Sequence, residues 1–100
     1  MEKRSPHYDL SSIRQTFSTI DALRITRSAI ITAEGLGLTL SDIVELIQTI
    51  TRKHYYKSMT SIADTRIWQD VYHVPCGLTV LYVKFTTDAE GYLVISFKEK

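Results

Sequence analysis

Tyrosine and lysine alternate in the last third of the chain: Tyr82 and Lys84 in one apolar-rich run, Tyr92 and Lys98 in the next. Alternate residues of a strand point to opposite faces of a sheet. Leu81, Val83 and Phe85 therefore share an apolar face with Leu93, Ile95 and Phe97. Tyr82, Lys84 and Thr86 fall beside Tyr92, Val94, Ser96 and Lys98 on the other face. Such a face offers cationic donors for phosphates and flat rings for nucleobases. The same pattern also suits an ordinary solvated surface, because lysine keeps sheet edges soluble and tyrosine favours strands.

Other chemistries lack their residues. His7, His54 and His73 lie far apart without ligand spacing and read as surface or turn residues, so no metal and no other cofactor is expected. The carboxylates are dispersed, with no pair of the two-metal or glycosidase kind. Cys76 stands between Pro75 and Gly77 with no group to activate it. There is no P-loop, dinucleotide fingerprint, nucleophile elbow or HExxH. What lysines and tyrosines can serve is metal-free phosphoryl chemistry on RNA. There the substrate's own 2′-hydroxyl attacks, something takes its proton, something protonates the leaving 5′-oxygen, and positive charge stabilises the transition state. Lysine and tyrosine both titrate far from neutrality unless their site shifts them. That predicts a slow enzyme, or one that depends on positioning the RNA.

These side chains need elements to hold them, and the texture of the chain divides in two. Leu10, Ile13, Phe17 and Ile20 form one stripe of a helix capped by Asp9 or Ser11. Leu23-Arg24-Ile25 reads as a small edge strand. Thr26 opens a second helix that Gly35 or Gly37 ends. Thr39 and Asp42 have the spacing of a capping box, and Leu40, Ile43, Val44, Ile47 and Ile50 continue as a third helical stripe. Beyond Lys53 the period changes from 3.6 to 2. Strands are predicted over 55–60, 67–73, 78–86 and 92–98, linked by turns at Asp64, at Pro75 and Gly77, and at Asp88 and Gly91. Short links between sequential strands predict an antiparallel meander, and helices followed by strands predict an α+β fold.

Length and charge set limits on partners. One hundred residues predict one domain over 1–100 with a radius of gyration near ~13 Å. Twelve basic and eleven acidic side chains leave a net charge of +1, which argues against a nucleic-acid binder that works by total charge. An anionic partner must then meet a local cluster. The single cysteine fits a reducing compartment. The polar N-terminus predicts no signal peptide, and no stretch approaches the ~20 apolar residues of a membrane span, so a cytoplasmic protein is expected.

Four blocks carry a family resemblance: Met1-Glu-Lys-Arg-Ser-Pro-His, Tyr55-Tyr56-Lys57-Ser58-Met59-Thr60, Ile67-Trp68-Gln69-Asp70-Val71-Tyr72, and Ser96-Phe97-Lys98-Glu99-Lys100. In order, spacing and total length they resemble the MqsR family, toxins of bacterial toxin–antitoxin operons within the wider RelE-like group of mRNA interferases. The resemblance implies a RelE-like α+β fold and an endoribonuclease that cuts mRNA at short GC-containing sites such as GCU. It also implies a cognate antitoxin with a zinc-binding part and a DNA-binding helix-turn-helix part. It carries four active-site positions onto this chain: Lys57 from the Tyr-Lys-Ser-Met block, Gln69 from Trp-Gln-Asp, Tyr82 two residues before Lys84, and Lys98 from Ser-Phe-Lys. Tyr82 and Lys98 already stand on the polar sheet face by parity alone.

Lys57 and Lys98 are then expected to hold the scissile phosphate, Tyr82 to transfer a proton and Gln69 to orient phosphate or ribose. Tyr56 and Met59 are expected to line the RNA groove, with Lys84, Arg24 and Arg27 extending the phosphate track. Parity groups Lys57 with Tyr55 and Met59, and Gln69 with Val71 and His73, but it does not register these strands against the last two. The chain departs from the family pattern at Ser61–Arg66 and in the acidic stretch Thr87–Gly91, both predicted loops. A competing expectation is a non-catalytic module that binds RNA, the ribosome or a protein on the same face.

Overall fold

The computed structural model describes residues 1–100. Three helices, α1 (Leu10–Thr16), α2 (Arg27–Leu36) and α3 (Leu40–Thr49), precede four long strands. These are β2 (Tyr55–Thr60), β3 (Trp68–Cys76), β4 (Thr79–Thr87) and β5 (Leu93–Glu99). A two-residue strand at the N-terminus, β1 (Glu2–Lys3), pairs with β2 and completes an antiparallel sheet of order β1-β2-β3-β4-β5. The α+β expectation holds, as does the meander from β2 to β5. Strand β1 is an addition, because two residues are too few to show a period.

The helix starts follow from their caps. Asp9 accepts the Ser12 amide, Thr26 accepts the Ala29 amide, and Thr39 and Asp42 form the reciprocal box at the start of α3. Gly37, at φ 72°, ends α2 in the left-handed conformation that a side chain resists. The first helix stops earlier than its stripe suggests: Ile20 lies in a separate 3₁₀ turn (Ile20–Ala22) and is exposed. In α3 the buried side is Ile43, Leu46 and Ile47, continued by Ile50 beyond its end, while Leu40 is exposed. The segment expected as an edge strand makes one parallel bridge, Ile25 to Ile95, with Ile95 N donating to Arg24 O at 2.8 Å.

Strand β3 runs three residues past its expected end and includes Pro75, so the turn to β4 falls at Gly77 and Leu78. Its pairing with β2 ends at Tyr72, which leaves β3 without a neighbour on that side, an edge where proline is tolerated.

The helices cover one face of the sheet. Ile13, Phe17, Ala29, Ala33, Ile43 and Ile47 meet Tyr72, Val74, Leu81, Val83, Phe85, Ile95 and Phe97 in a single apolar cluster. Phe17 stacks on Phe85 at 6.3 Å, and Tyr72 meets the same ring edge-on at 5.8 Å. Burial pushes the Tyr72 phenol up to about 12, with the Asp70 carboxylate adding to the shift. The radius of gyration is 12.7 Å. No helix is long and apolar enough to cross a membrane. The opposite face of the sheet carries no helix, and that open face presents the lysines and tyrosines.

Candidate active site

Residues directly opposite each other in an antiparallel pair project to the same face, so the register builds the open face row by row. Tyr82 stands between His73 and Lys98. Lys84 stands between Val71 and Ser96, and Val71 in turn faces Lys57. Met59 stands between Glu2 and Gln69. Lys57, Gln69, Tyr82 and Lys98 thus share one face, one from each of four successive strands, with Met59 and Lys84 beside them.

A bulge brings Lys57 to this face. The β2–β3 register slips between Tyr55 and Lys57: Tyr55 opposes Tyr72 on the helix side, whereas Lys57 opposes Val71 on the open side. Strict alternation groups Tyr55 with Lys57, and the extra residue, Tyr56, separates them. The Tyr56 ring stacks on His73 with centroids 4.4 Å apart and planes at 26°. His73 in turn lies 5.4 Å from Tyr82, tilted by 40°. The three rings form a ladder across β2, β3 and β4, with a cation near each end. Lys57 Nζ is 5.4 Å from the Tyr56 centroid and Lys98 Nζ is 5.6 Å from that of Tyr82.

His73 is the residue that reading the chain alone missed. A lone histidine reads as surface or turn, yet this one sits mid-strand between two site tyrosines. Its parity with Gln69 was visible, but its pairing with Tyr82 depends on a register that strand parity does not supply. Burial holds its imidazole below the usual histidine range, and the Lys100 ammonium acts in the same direction. Its Nε2 is buried without a hydrogen-bond partner. The other two histidines have structural partners: His7 stacks on Trp68 at 5.5 Å, and His54 Nδ1 accepts the Thr51 amide at 3.0 Å.

The cations of the face differ in their pairing. Lys57 Nζ lies 3.1 Å from a carboxylate oxygen of Glu2, and that hydrogen bond holds its ammonium above the usual lysine range. Lys84 and Lys98 have no carboxylate within salt-bridge distance. Arg24 lies beyond the β5 edge, its guanidinium 4.2 Å from the Tyr92 ring centroid. Next to it, Thr26 Oγ1 donates to Ser96 Oγ at 2.9 Å. Arg27 is exposed at the start of α2, with neither an ion pair nor a side-chain hydrogen bond to the other site residues.

The N-terminal segment is tied to the rim of this face. Thr60 N donates to Met1 O at 2.9 Å, and Arg4 donates to Tyr56 O at 3.3 Å. The fully buried Asp70 carboxylate accepts the amides of His7 and Tyr8, at 2.9 and 2.8 Å, and the Ser58 hydroxyl at 2.5 Å. The two concavities of the molecule lie elsewhere. One, of about 440 Å³, is lined by Leu36, Leu38 and Cys76, and the other, of about 330 Å³, by Ile30, Leu40 and Ile43. Neither includes a lysine or tyrosine of the open face. A shallow face of cations and rings suits an extended polyanion better than a small molecule, which needs an enclosing pocket.

Residues 5–99 match a family model described as motility quorum-sensing regulator, toxin of MqsA. The chain is also 39% identical, over 100 residues and the full length of both proteins, to the mRNA interferase toxin MqsR of Escherichia coli strain K12.

Proposed function

This chain belongs to the MqsR toxin family, and on that premise we propose that it is an endoribonuclease, an mRNA interferase that cuts on the open face of its sheet. The observation that carries the reading is the convergence of Lys57, Gln69, Tyr82 and Lys98 on one uncovered face, around the Tyr56–His73–Tyr82 ladder. In this reading the lysines embrace the scissile phosphate from the two sides of the ladder and offset the charge that builds on its oxygens. Gln69 orients phosphate or ribose, and Tyr82 gives a proton to the leaving 5′-oxygen. Tyr56 and Met59 stack or pack against bases, while Lys84, Arg24 and Arg27 guide neighbouring phosphates.

No step in this scheme calls for a metal ion, because the substrate supplies its own nucleophile. Short GC-containing sites such as GCU are the proposed targets, and cytoplasmic mRNA is the proposed substrate. The matched family is described by its partner MqsA. The partner proposed here is a cognate antitoxin with a zinc-binding part and a helix-turn-helix part.

The test is digestion of a defined single-stranded RNA by purified protein in excess EDTA. Specific cuts that persist under chelation are expected. Lys98→Ala and Tyr82→Ala should each lower the cleavage rate about 10²-fold or more while thermal unfolding stays near that of the parent. RNA retained without cleavage would favour the non-catalytic module instead. Full activity in both variants would remove these residues from the mechanism.

A further inference from the structure

The proposed quartet has an unfilled role. Lysine and tyrosine side chains hold their protons at neutral pH, and Lys57 is held the more firmly by its partner. These four groups supply positive charge and a general acid but no proton acceptor, and the imidazole nearest them, His73, has its Nε2 buried between the rings of Tyr56 and Tyr82, away from an incoming 2′-hydroxyl. Three carboxylates occur in the strands: Glu2, Asp70 and Glu99. Asp70 opposes Phe85 on the helix side and is fully engaged there, and Glu99 opposes Leu81 on that same side. Only Glu2 lies on the open face, in the row of Met59 and Gln69. Its side chain is half exposed, and its oxygen is 3.1 Å from Lys57 Nζ.

We propose that Glu2 is the general base of the cleavage reaction. The inference rests on the endoribonuclease reading above. A phosphate held by Lys57 stands next to this carboxylate, so the adjoining ribose comes within its reach. Glu2 takes the proton of the 2′-hydroxyl as the 2′-oxygen forms its bond to phosphorus. The bond from phosphorus to the 5′-oxygen breaks, and the Tyr82 hydroxyl gives that oxygen its proton. The products are a 2′,3′-cyclic phosphate and a 5′-hydroxyl. Glu2 leaves the step protonated and Tyr82 deprotonated, and exchange with water restores both.

The build of the N-terminal segment fits this role. A chain terminus commonly frays unless something ties it down. Here Asp70, Thr60 and Tyr56 all bond the backbone or side chains of residues 1–8, which fixes a two-residue strand and the direction of Glu2. Ion pairing with Lys57 then sets the carboxylate in place before substrate arrives.

The test compares parent, Glu2→Gln and Glu2→Asp on a single-stranded RNA oligonucleotide containing GCU. Binding is measured separately on an analogue with a 2′-deoxy sugar at the cut site. Glu2→Gln should slow cleavage by about 10²- to 10⁴-fold with analogue binding no weaker than the parent's, and Glu2→Asp should recover part of the rate. Cleavage by Glu2→Gln at the parental rate or faster would overturn the proposal and leave Glu2 as a mere competitor for Lys57. A parallel loss of cleavage and binding would also overturn it, by making Glu2 a support for Lys57. If the parent binds the RNA and leaves it intact, the nuclease reading itself fails, an outcome separate from any effect of Glu2.

Discussion

His73 sits at the centre of the ring ladder as a base that its surroundings keep uncharged. The groups facing it are Tyr56 from β2, Tyr82 from β4 and the Lys100 ammonium, with Lys57 and Lys98 over the outer rings. Its folded-state pKa lies below the unfolded value, so the unfolded chain takes up the proton first as pH falls. The contribution to stability is complete above the unfolded pKa, near 6.5, and is lost as pH drops through the lower folded value. The urea midpoint of the parent should therefore fall more between pH 7.5 and pH 5 than that of His73→Gln. His7 and His54 are common to both proteins, so the difference isolates His73. Equal falls would show that the His73 imidazole carries no such penalty.

At the scale of elements, one carboxylate anchors the segment that follows the N-terminal strand. Asp70 gathers two amides and a hydroxyl from outside its own strand, and hydrogen bonds to a charged acceptor are worth about 1.5–3 kcal/mol each. Asp70→Asn keeps the shape but offers a single acceptor oxygen, so a loss of about 2–3 kcal/mol in unfolding free energy is expected. Hydrogen exchange should quicken at residues 2–8 in particular, and uniform quickening would contradict the anchoring role. Local chemistry made some elements legible from the residues alone. Thr39 with Asp42 announces α3, Gly35 and Gly37 bracket the end of α2, and strict alternation in β4 and β5 places Tyr82 and Lys98 on one face. Other features arise from pairing and leave no such mark. The bulge that turns Lys57 away from Tyr55 exists only opposite β3, β1 is too short to have a period, and His73 gains its meaning from Tyr82 across the ladder.

At the scale of the whole molecule, a net charge of +1 conceals a segregation of charge. The open face gathers Lys57, Lys84 and Lys98, with Arg24 at its edge, against a single strand carboxylate. About three or four phosphates can be neutralised there. The slope of log K against log salt for a single-stranded RNA should then be about −2 to −3. A much steeper slope would mean that basic groups elsewhere on the surface take part, and a flat one that the face does not bind phosphate. The four-strand origin of the site has a further consequence for a toxin. Because side chains alternate with a period of two, a one-residue slip in any of β2 to β5 turns that strand's contribution into the core. On the site proposed above, each strand therefore acts as a checkpoint, and a misassembled copy is disarmed by the same error that misfolds it. Activity then belongs only to chains that have reached their final register, so an inhibitor has only correctly finished copies to silence.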